Sequence, residues 1–437
     1  MDAFVIQGGN PLRGEIKVNG SKNAALPLMA AALLTNQPVT LEGIPRLADI
    51  GNMRRLLIEL GVDIEEQSNG LRFQATDESA SHARYEIVRT MRASICVLGP
   101  MLARRGIARV SLPGGCAIGD RPVDLHLRGL EALGAQVSLD SGDILVKAPA
   151  PGGRLRGGRV FLAGPFGPTV LGTANVMSAA TLAEGVTIIE CAACEPEVVD
   201  LARLLNAMGA HIRGAGTPRI VIEGVKELGA AHHRVIGDRI EAGTYMMASA
   251  MTRGDLTIRD CPLDALLATW DHLERAGVAL TVIDEADPMR ASVRIRGTDA
   301  IQPVHVTTNP HPGFPTDLQA QMMALLSMAS GNSSITERIF PDRFLHVAEL
   351  SRMGARLFRQ GPTVIVSGVQ ELIGAPVMAS DLRASASLVL AGLAAEGQTI
   401  VRRVYHLDRG YERMEVGLAS LGADIRRVRE EELPLIE

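Results

Sequence analysis

The residue in this chain best suited to chemistry is Cys116. It sits at the centre of Leu112-Pro113-Gly114-Gly115-Cys116-Ala117-Ile118-Gly119-Asp120-Arg121-Pro122. Gly114 and Gly115 permit positive φ and Gly119 supplies a second pivot, which predicts a turn rather than a strand or helix. A cation near a thiol lowers its pKa, and Arg121 follows Cys116 by five residues. Two readings fit the stretch alone: a reactive thiol on a positioned loop, or an inert, half-buried cysteine in a surface turn.

The second group of candidates is basic. Apolar helices recur along the chain, and their starts differ while their bodies stay alike: Ser21-Lys22-Asn23, Met91-Arg92, Thr169 to Asn175, Arg239-Ile240-Glu241, Pro315-Thr316-Asp317 and Asp381-Leu382-Arg383. A second series lies at later turns: Arg46 and Asp49, Asp120-Arg121, Glu195, Asp260, Asp342-Arg343 and Asp408-Arg409. Ser, Thr and Asp there are ordinary helix caps. Lys22, Arg92 and Arg383 are not, because a cation opposes the dipole at a helix N-terminus. An anionic ligand at these helix starts accounts for them. Arg92, Arg121, Arg343, Arg383 and Arg409 further suit planar carboxylate and phosphate groups.

The elements that must position these groups form a repeat. A Gly follows an apolar helix six times, at Gly61, Gly134, Gly209, Gly277, Gly354 and Gly422, with intervals of 73, 75, 68, 77 and 68 residues. Each Gly suits the position after a helix C-cap, and a short β pattern follows it. Upstream of each lies an Ala/Leu/Met-rich helix and then a strand, as in Ala24 to Leu34 before Val39-Thr40-Leu41. A period near 70 residues points to one duplicated α/β unit reading helix, strand, helix, strand, strand. Six units in two sets of three predict two similar domains, with the anion site lined by both. The boundary is expected within Glu227 to Asp238, giving 22–230 as one domain and 1–21 with 231–437 as the other. The extra strand pair Phe4-Val5-Ile6 and Glu15-Ile16-Lys17-Val18 is expected to complete the second domain's sheets.

Composition narrows the function. The 437 residues exceed one ordinary core, and 46% hydrophobic with 21% charged residues describes a globular chain. A net charge of −5 without a basic block, and only 3% aromatics, argue against nucleic-acid partners. There is no signal-peptide pattern and no apolar run of about 18 residues, so no membrane association is expected. Five cysteines, odd and sparse, fit a reducing compartment, hence the cytoplasm. Cys191-Ala192-Ala193-Cys194 has redox spacing but no second pair, so a structural role is expected. No metal site and no ATP or NAD fingerprint is legible, and no cofactor is expected.

Several of these stretches together resemble the UDP-N-acetylglucosamine 1-carboxyvinyltransferase family. They are Ser21 to Pro27, Thr90 to Ser94, Leu112 to Asp124, His311 to Gln321, Arg343 to Gly354, Asp381 to Ala386 and Tyr405 to Arg413, and the resemblance covers essentially the whole chain. The resemblance implies two inside-out α/β-barrel domains, each of three βαβαββ-type units. It implies an enolpyruvyl (carboxyvinyl) transferase acting on phosphoenolpyruvate and UDP-N-acetylglucosamine, at the first committed step of peptidoglycan synthesis. Cys116 then matches the family's proton donor, which fosfomycin alkylates, and Asp317 the carboxylate facing the sugar hydroxyl. Lys22, Arg121 and Arg409 match the phosphoenolpyruvate clamp, with Arg343 and Arg383 nearby. Asn23, Arg92, Arg121, Pro122, Val123, Asp124, Leu125, Asp317 and Ile339 match nucleotide-sugar contacts. Glu190 and Asp381 match acidic positions behind the site, where an ordinary ion-pair role is an equal alternative. The implied protein is cytoplasmic, monomeric, and connected through the cell wall with cell shape and division.

One stretch departs from the family pattern. Phe161 to Gly172 carries no Lys where the family has a Lys-Val-Ser-Val-Gly-type segment holding the uridine diphosphate, so nucleotide contacts are expected to differ there. The shikimate-phosphate enolpyruvyl transferases share the architecture but lack the Cys-bearing Pro-Gly-Gly loop.

Overall fold

The computed structural model describes residues 1–112, 123–149 and 153–433. Cys116, Arg121 and Pro122 therefore lie outside the described residues. The chain forms two compact units, one from residues 20–236 and one from residues 1–19 with 237–433.

Each unit repeats one sheet three times. In the unit of residues 20–236 the strand orders are Ala231–Arg234, Val39–Glu42, Gly70–Ala75, Val62–Gln67; then His82–Ala83, Ile107–Ser111, Asp143–Lys147, Gln136–Asp140; then Arg159–Phe161, Val186–Glu190, Arg219–Glu223, His211–Arg213. In every case the first pair is parallel and the other two are antiparallel. The other unit keeps the same order, with two places filled by the N-terminus. Arg13–Lys17 is the parallel edge strand beside Asp255–Cys261, and Asp2–Gln7 lies antiparallel between Gln398–Arg402 and Asp424–Arg429. The short parallel edge strand is the one part of the unit that the repeat pattern did not announce. At two to four residues in five of the six sheets, it is too short to show alternation.

Burial explains why the helices lie inside. Gln319–Leu326 is buried at every position, and Arg239–Met251 at all but its first. A helix apolar all round must sit in a core, and Ala, Gly, Ser and Met let such helices approach closely. Leu382–Ala394 joins these two in the core of its unit. The second helix of each copy is amphipathic instead: Ala48–Glu59 buries Asp49, Ile50, Met53, Leu56 and Leu57 at helical spacing. Strands alternate, as in Gly70–Ala75, so each sheet covers the helices with one face and meets solvent with the other. This is the inside-out α/β arrangement.

The six repeat glycines all have positive φ, between 78° and 104°, as the position after a helix C-cap requires. Gly224 is held by contact rather than by φ. A Cβ there would lie 1.7 Å from the carbonyl oxygen of Ala183, at the end of the region following the helix Val170–Ala180. Gly224→Ala is expected to cost about 1–3 kcal/mol by overpacking, read as a lower denaturation midpoint in urea.

Candidate active site

In the unit of residues 20–236, Ser21 caps the helix Lys22–Ala31 by accepting from the Ala24 N–H at 3.3 Å. Lys22 is thereby fixed in the first turn, where its Nζ lies 3.3 Å from Asp49 Oδ2. Both side chains are largely buried, at 11% and 3% exposed, so this is not a surface pair of negligible worth. Asn23 follows on the same turn and is half-buried. Arg92 opens the 3₁₀ turn Arg92–Val97 and is half-buried.

Behind Arg92 lies a buried crosslink. Burial, with a contribution from Arg92, pushes His126 down to about 4, so its imidazole is neutral. Asn175 Oδ1 accepts from Gly99 N at 2.8 Å, and its Nδ2 donates to Ile95 O and to His126 Nδ1, each at 2.9 Å. An amide nitrogen only donates, so His126 carries its proton on Nε2. Asn175, counted by the sequence among variable helix starts, is a structural tie between helices. Val123 precedes the helix Asp124–Ala132, with Asp124 exposed and Leu125 half-buried.

The divergent stretch forms a small hairpin, Ala163–Gly164 paired with Gly167–Pro168. Arg128 locks it by donating to Phe161 O at 2.7 Å and Ala163 O at 2.9 Å, with its guanidinium 5.9 Å from the Phe161 ring. Leu125 lies against Gly164, and Phe161 and Phe166 remain exposed. Thr169 Oγ1 then accepts from Gly172 N and starts the next helix. A capped hairpin with two exposed rings therefore stands where the family pattern has a lysine.

Glu190 pairs with Arg219 at 2.8 Å on an outer sheet face, where hydrogen bonding to Arg219 lowers its pKa. That is an ordinary ion pair. Cys191 adopts a left-handed φ of 54°, and Cys194 is half-buried, its thiol pKa raised by burial and then by Glu195. A raised pKa disfavours the nucleophilic thiolate.

In the other unit Asp317 is the focus. It occupies the 3₁₀ turn Thr316–Leu318 just before the buried helix Gln319–Leu326. Its Oδ1 accepts from Arg343 Nη1 at 2.8 Å, and its Oδ2 from Arg383 Nε and Nη2 at 3.2 and 3.1 Å. The Arg343 and Arg383 side chains are 6% and 3% exposed, whereas that of Asp317 is 25% exposed. The carboxylate is thus held by two buried guanidiniums while remaining partly exposed. Arg383 is presented by the helix Leu382–Ala394, whose N-cap Asp381 accepts from the backbone of Arg383 and Ala384. Asp381 is therefore a helix cap here.

Glu337, which no motif or spacing announces, is fully buried and organises this wall. Its Oε1 accepts from Thr308 Oγ1 and from the backbone N–H groups of Ile339 and Phe340, and its Oε2 from Thr316 Oγ1. Thr316 Oγ1 in turn accepts from Arg343 Nη1 at 3.0 Å. Ile339, a predicted ligand contact, is fixed through its N–H by this carboxylate. His346 is buried and pushed down to about 4, chiefly by burial, which makes it a neutral neighbour of Arg343. Arg409 closes the 3₁₀ segment Val404–Arg409, while Asp408 beside it is taken by a two-pronged pair with Arg427 at 2.8 and 2.7 Å.

The structure thus brings Lys22 to Asp49 in one unit and Arg343 and Arg383 to Asp317 in the other. A partly exposed carboxylate held in place by two guanidiniums can accept a hydrogen bond from a hydroxyl, orient it and receive its proton. Among the described residues no group of three or more His, Cys, Asp and Glu side chains is arranged to hold a metal ion. No helix among them is long and apolar enough to cross a membrane.

Residues 6–418 match the family model described as EPSP synthase (3-phosphoshikimate 1-carboxyvinyltransferase). The UDP-N-acetylglucosamine 1-carboxyvinyltransferase of Solibacter usitatus is 53% identical over 428 residues, spanning 98% of this chain and 100% of that protein. The protein of the same name from Gluconacetobacter diazotrophicus is 54% identical over 432 residues, again 98% of this chain and 100% of its own. Among solved structures, the enolpyruvyl transferase NikO from Streptomyces tendae superposes with a TM-score of 0.87 at 26% identity, covering 98% of this chain and 99% of that one. An EPSP synthase from Acinetobacter baumannii gives a TM-score of 0.76 at 18% identity, covering 98% and 100%, which establishes a shared fold. With half of all positions identical across nearly the full length of both chains, this chain belongs to the UDP-N-acetylglucosamine 1-carboxyvinyltransferase family of enolpyruvyl transferases.

Proposed function

We propose that this protein transfers the enolpyruvyl group of phosphoenolpyruvate to the 3-hydroxyl of UDP-N-acetylglucosamine and releases phosphate, opening peptidoglycan synthesis. The observation that carries this reading is the near end-to-end match to relatives of that name. The setting of Asp317 supports the chemistry.

In the first step the sugar hydroxyl attacks C2 of phosphoenolpyruvate as a proton is added to the methylene carbon, giving a phosphorylated tetrahedral intermediate. In the second step a proton leaves the new methyl group and phosphate departs, which restores the double bond. Asp317 takes the hydroxyl proton, and Cys116 delivers the proton to carbon. A thiol that titrates near neutrality suits both donation and recovery of a proton. Lys22, Arg121 and Arg409 hold the phosphate and carboxylate of phosphoenolpyruvate, preorganised charges that stabilise the intermediate. Asn23, Arg92, Pro122, Val123, Asp124, Leu125 and Ile339 bind the nucleotide sugar. Arg343 and Arg383 act on the reaction through Asp317. The protein would work as a cytoplasmic monomer without a cofactor, would be alkylated at Cys116 by fosfomycin, and would serve cell shape and division through the wall.

The test is phosphate release from phosphoenolpyruvate. Release is expected only when UDP-N-acetylglucosamine is added, and its rate falls in Cys116→Ala. No release with that acceptor overturns the reading. Release with shikimate 3-phosphate instead assigns the chain to the other branch of the fold. Tight binding of UDP-N-acetylglucosamine without turnover, unchanged in Cys116→Ala, makes the chain a nucleotide-sugar binder.

A further inference from the structure

Asp317 is supported from behind by a buried polar cluster that no motif announces. Three core helices that touch one another supply it: Arg239–Met251 brings Thr244, Gln319–Leu326 brings Gln321, and Leu382–Ala394 brings Arg383. Tyr411, 2% exposed, closes the cluster.

The direction of each hydrogen bond follows from counting protons. Thr244 spends its one hydroxyl proton on Ile240 O at 2.7 Å. Toward the Tyr411 hydroxyl at 2.9 Å, and toward Gln321 Nε2 at 3.2 Å, it can therefore only accept. Tyr411 is the donor of its pair, and burial raises its pKa, which keeps that proton in place. Gln321 Nε2 also lies 3.3 Å from the Tyr411 oxygen and 3.1 Å from the backbone carbonyl oxygen of Asp317. On the other side, Cζ of Arg383 stands 5.5 Å from the centre of the Tyr411 ring. Arg383 Nη1 is buried and makes no hydrogen bond of good geometry, so the guanidinium is held by its two bonds to Asp317 and by Tyr411, through the ring and the hydroxyl that interacts with it. Burial acts to lower the pKa of Arg383, but Asp317, Tyr411 and Asp238 outweigh it and the net shift is upward.

Resting on the assignment of Asp317 above, we propose that Tyr411 is a positioning residue for the reaction. Its hydroxyl, anchored on Thr244, sets the ring beneath Arg383, and Gln321 ties the same junction to the Asp317 backbone. Carboxylate and guanidinium are thereby given one mutual orientation. The reason to expect a kinetic effect is geometric, since displacing a reacting group by about 1 Å can cost roughly 100-fold in rate.

Tyr411→Phe keeps the ring and removes the donor, while Thr244 keeps its bonds to Ile240 and Gln321. The variant is expected to stay folded and to lose about tenfold or more in kcat, with KM for both substrates unchanged within about twofold. Gln321→Met is expected to do the same, and the double variant to lose less than the product of the two, as members of one network do. A readout independent of turnover is the guanidinium 15N spectrum of Arg383, assigned by its loss in Arg383→Lys. Its terminal nitrogens are expected to be resolved in the wild type and averaged by faster rotation in both variants. Folded variants with unchanged kcat and unchanged Arg383 resonances overturn the proposal. So does a lowered melting temperature with kcat and resonances intact, which is what mere core filling predicts. A wild type that shows no turnover refutes the enolpyruvyl reading instead, and the Arg383 spectrum then still decides whether Tyr411 holds it.

Discussion

Asp317→Asn is expected to lower turnover by about 10²–10⁴-fold at saturating substrates, the range lost when a positioned acid–base group is removed. The substitution keeps the shape and one acceptor oxygen but replaces the other acceptor with an amide that donates. One of the two guanidiniums then faces a donor. Arg343 and Arg383, at 6% and 3% exposed, cannot turn to solvent to recover the loss. Breaking a buried ion pair on one side costs about 3–5 kcal/mol, so a lowered denaturation midpoint should accompany the loss of activity. The two effects separate the roles. A destabilised variant with normal phosphate release makes Asp317 a structural hub for two arginines and removes it from the chemistry. Normal stability with normal release defeats both assignments. Calorimetry with UDP-N-acetylglucosamine supplies the remaining control, since retained binding shows that the variant still presents the site.

The fold was legible because its signals are local and repeated. Six glycines at intervals near 70 residues all take the positive φ that a helix end requires. The helices upstream of them are apolar on every side, which only a helical core under outer sheets accommodates. The parallel edge strands were not legible. His82–Ala83 has two residues, and its identity as a strand comes from its partner Ile107–Ser111 rather than from its own pattern. The site was legible in part for the same reason. Lys22, Asp317 and Arg383 stand out because they occupy equivalent helix starts yet differ in chemistry.

What escaped is non-local. Glu337 stands at the end of a short strand like any cap or surface acid, and only folding brings Thr308 and Thr316 to it. Tyr411 and Gln321 are 90 residues apart, a separation no spacing argument connects. That Arg343 and Arg383, expected near the phosphoenolpyruvate clamp, also share one carboxylate was not legible either: the turn Thr316–Leu318 places Asp317 between them.

The second large effect concerns pH and Glu241. This carboxyl group is fully buried in the core helix Arg239–Met251 and accepts from Asn19, through the backbone N–H at 2.7 Å and the side-chain amide at 3.0 Å. Asn19 is the last residue before the chain enters the other unit, so the bond fixes one end of the crossing. Burial, then the Asp238 carboxylate, pushes the Glu241 pKa from 4.5 up to about 8 against the opposing bonds from Asn19, with Glu412 raising it further. Tyr245, the other titratable group coupled to it, is itself raised far above its usual value and stays neutral. Below pH 4.5 folded and unfolded chains both carry the proton, and Glu241 adds no pH dependence. Between 4.5 and 8 the unfolded chain has released a proton that the folded chain keeps, so stability falls as pH rises; above 8 the loss is complete. At about 1.4 kcal/mol per pH unit the loss amounts to several kcal/mol. Other carboxylates, such as Asp255 held down by Arg294, act in the opposite direction, so the informative quantity is a difference. Glu241→Gln mimics the protonated acid and retains an acceptor for Asn19. Urea unfolding of both proteins from pH 4.5 to 8 is expected to show the variant gaining on the wild type by a few kcal/mol as pH rises. A difference that stays flat across that range would mean that Glu241 is already ionised in the folded protein, its charge met by groups other than Asn19.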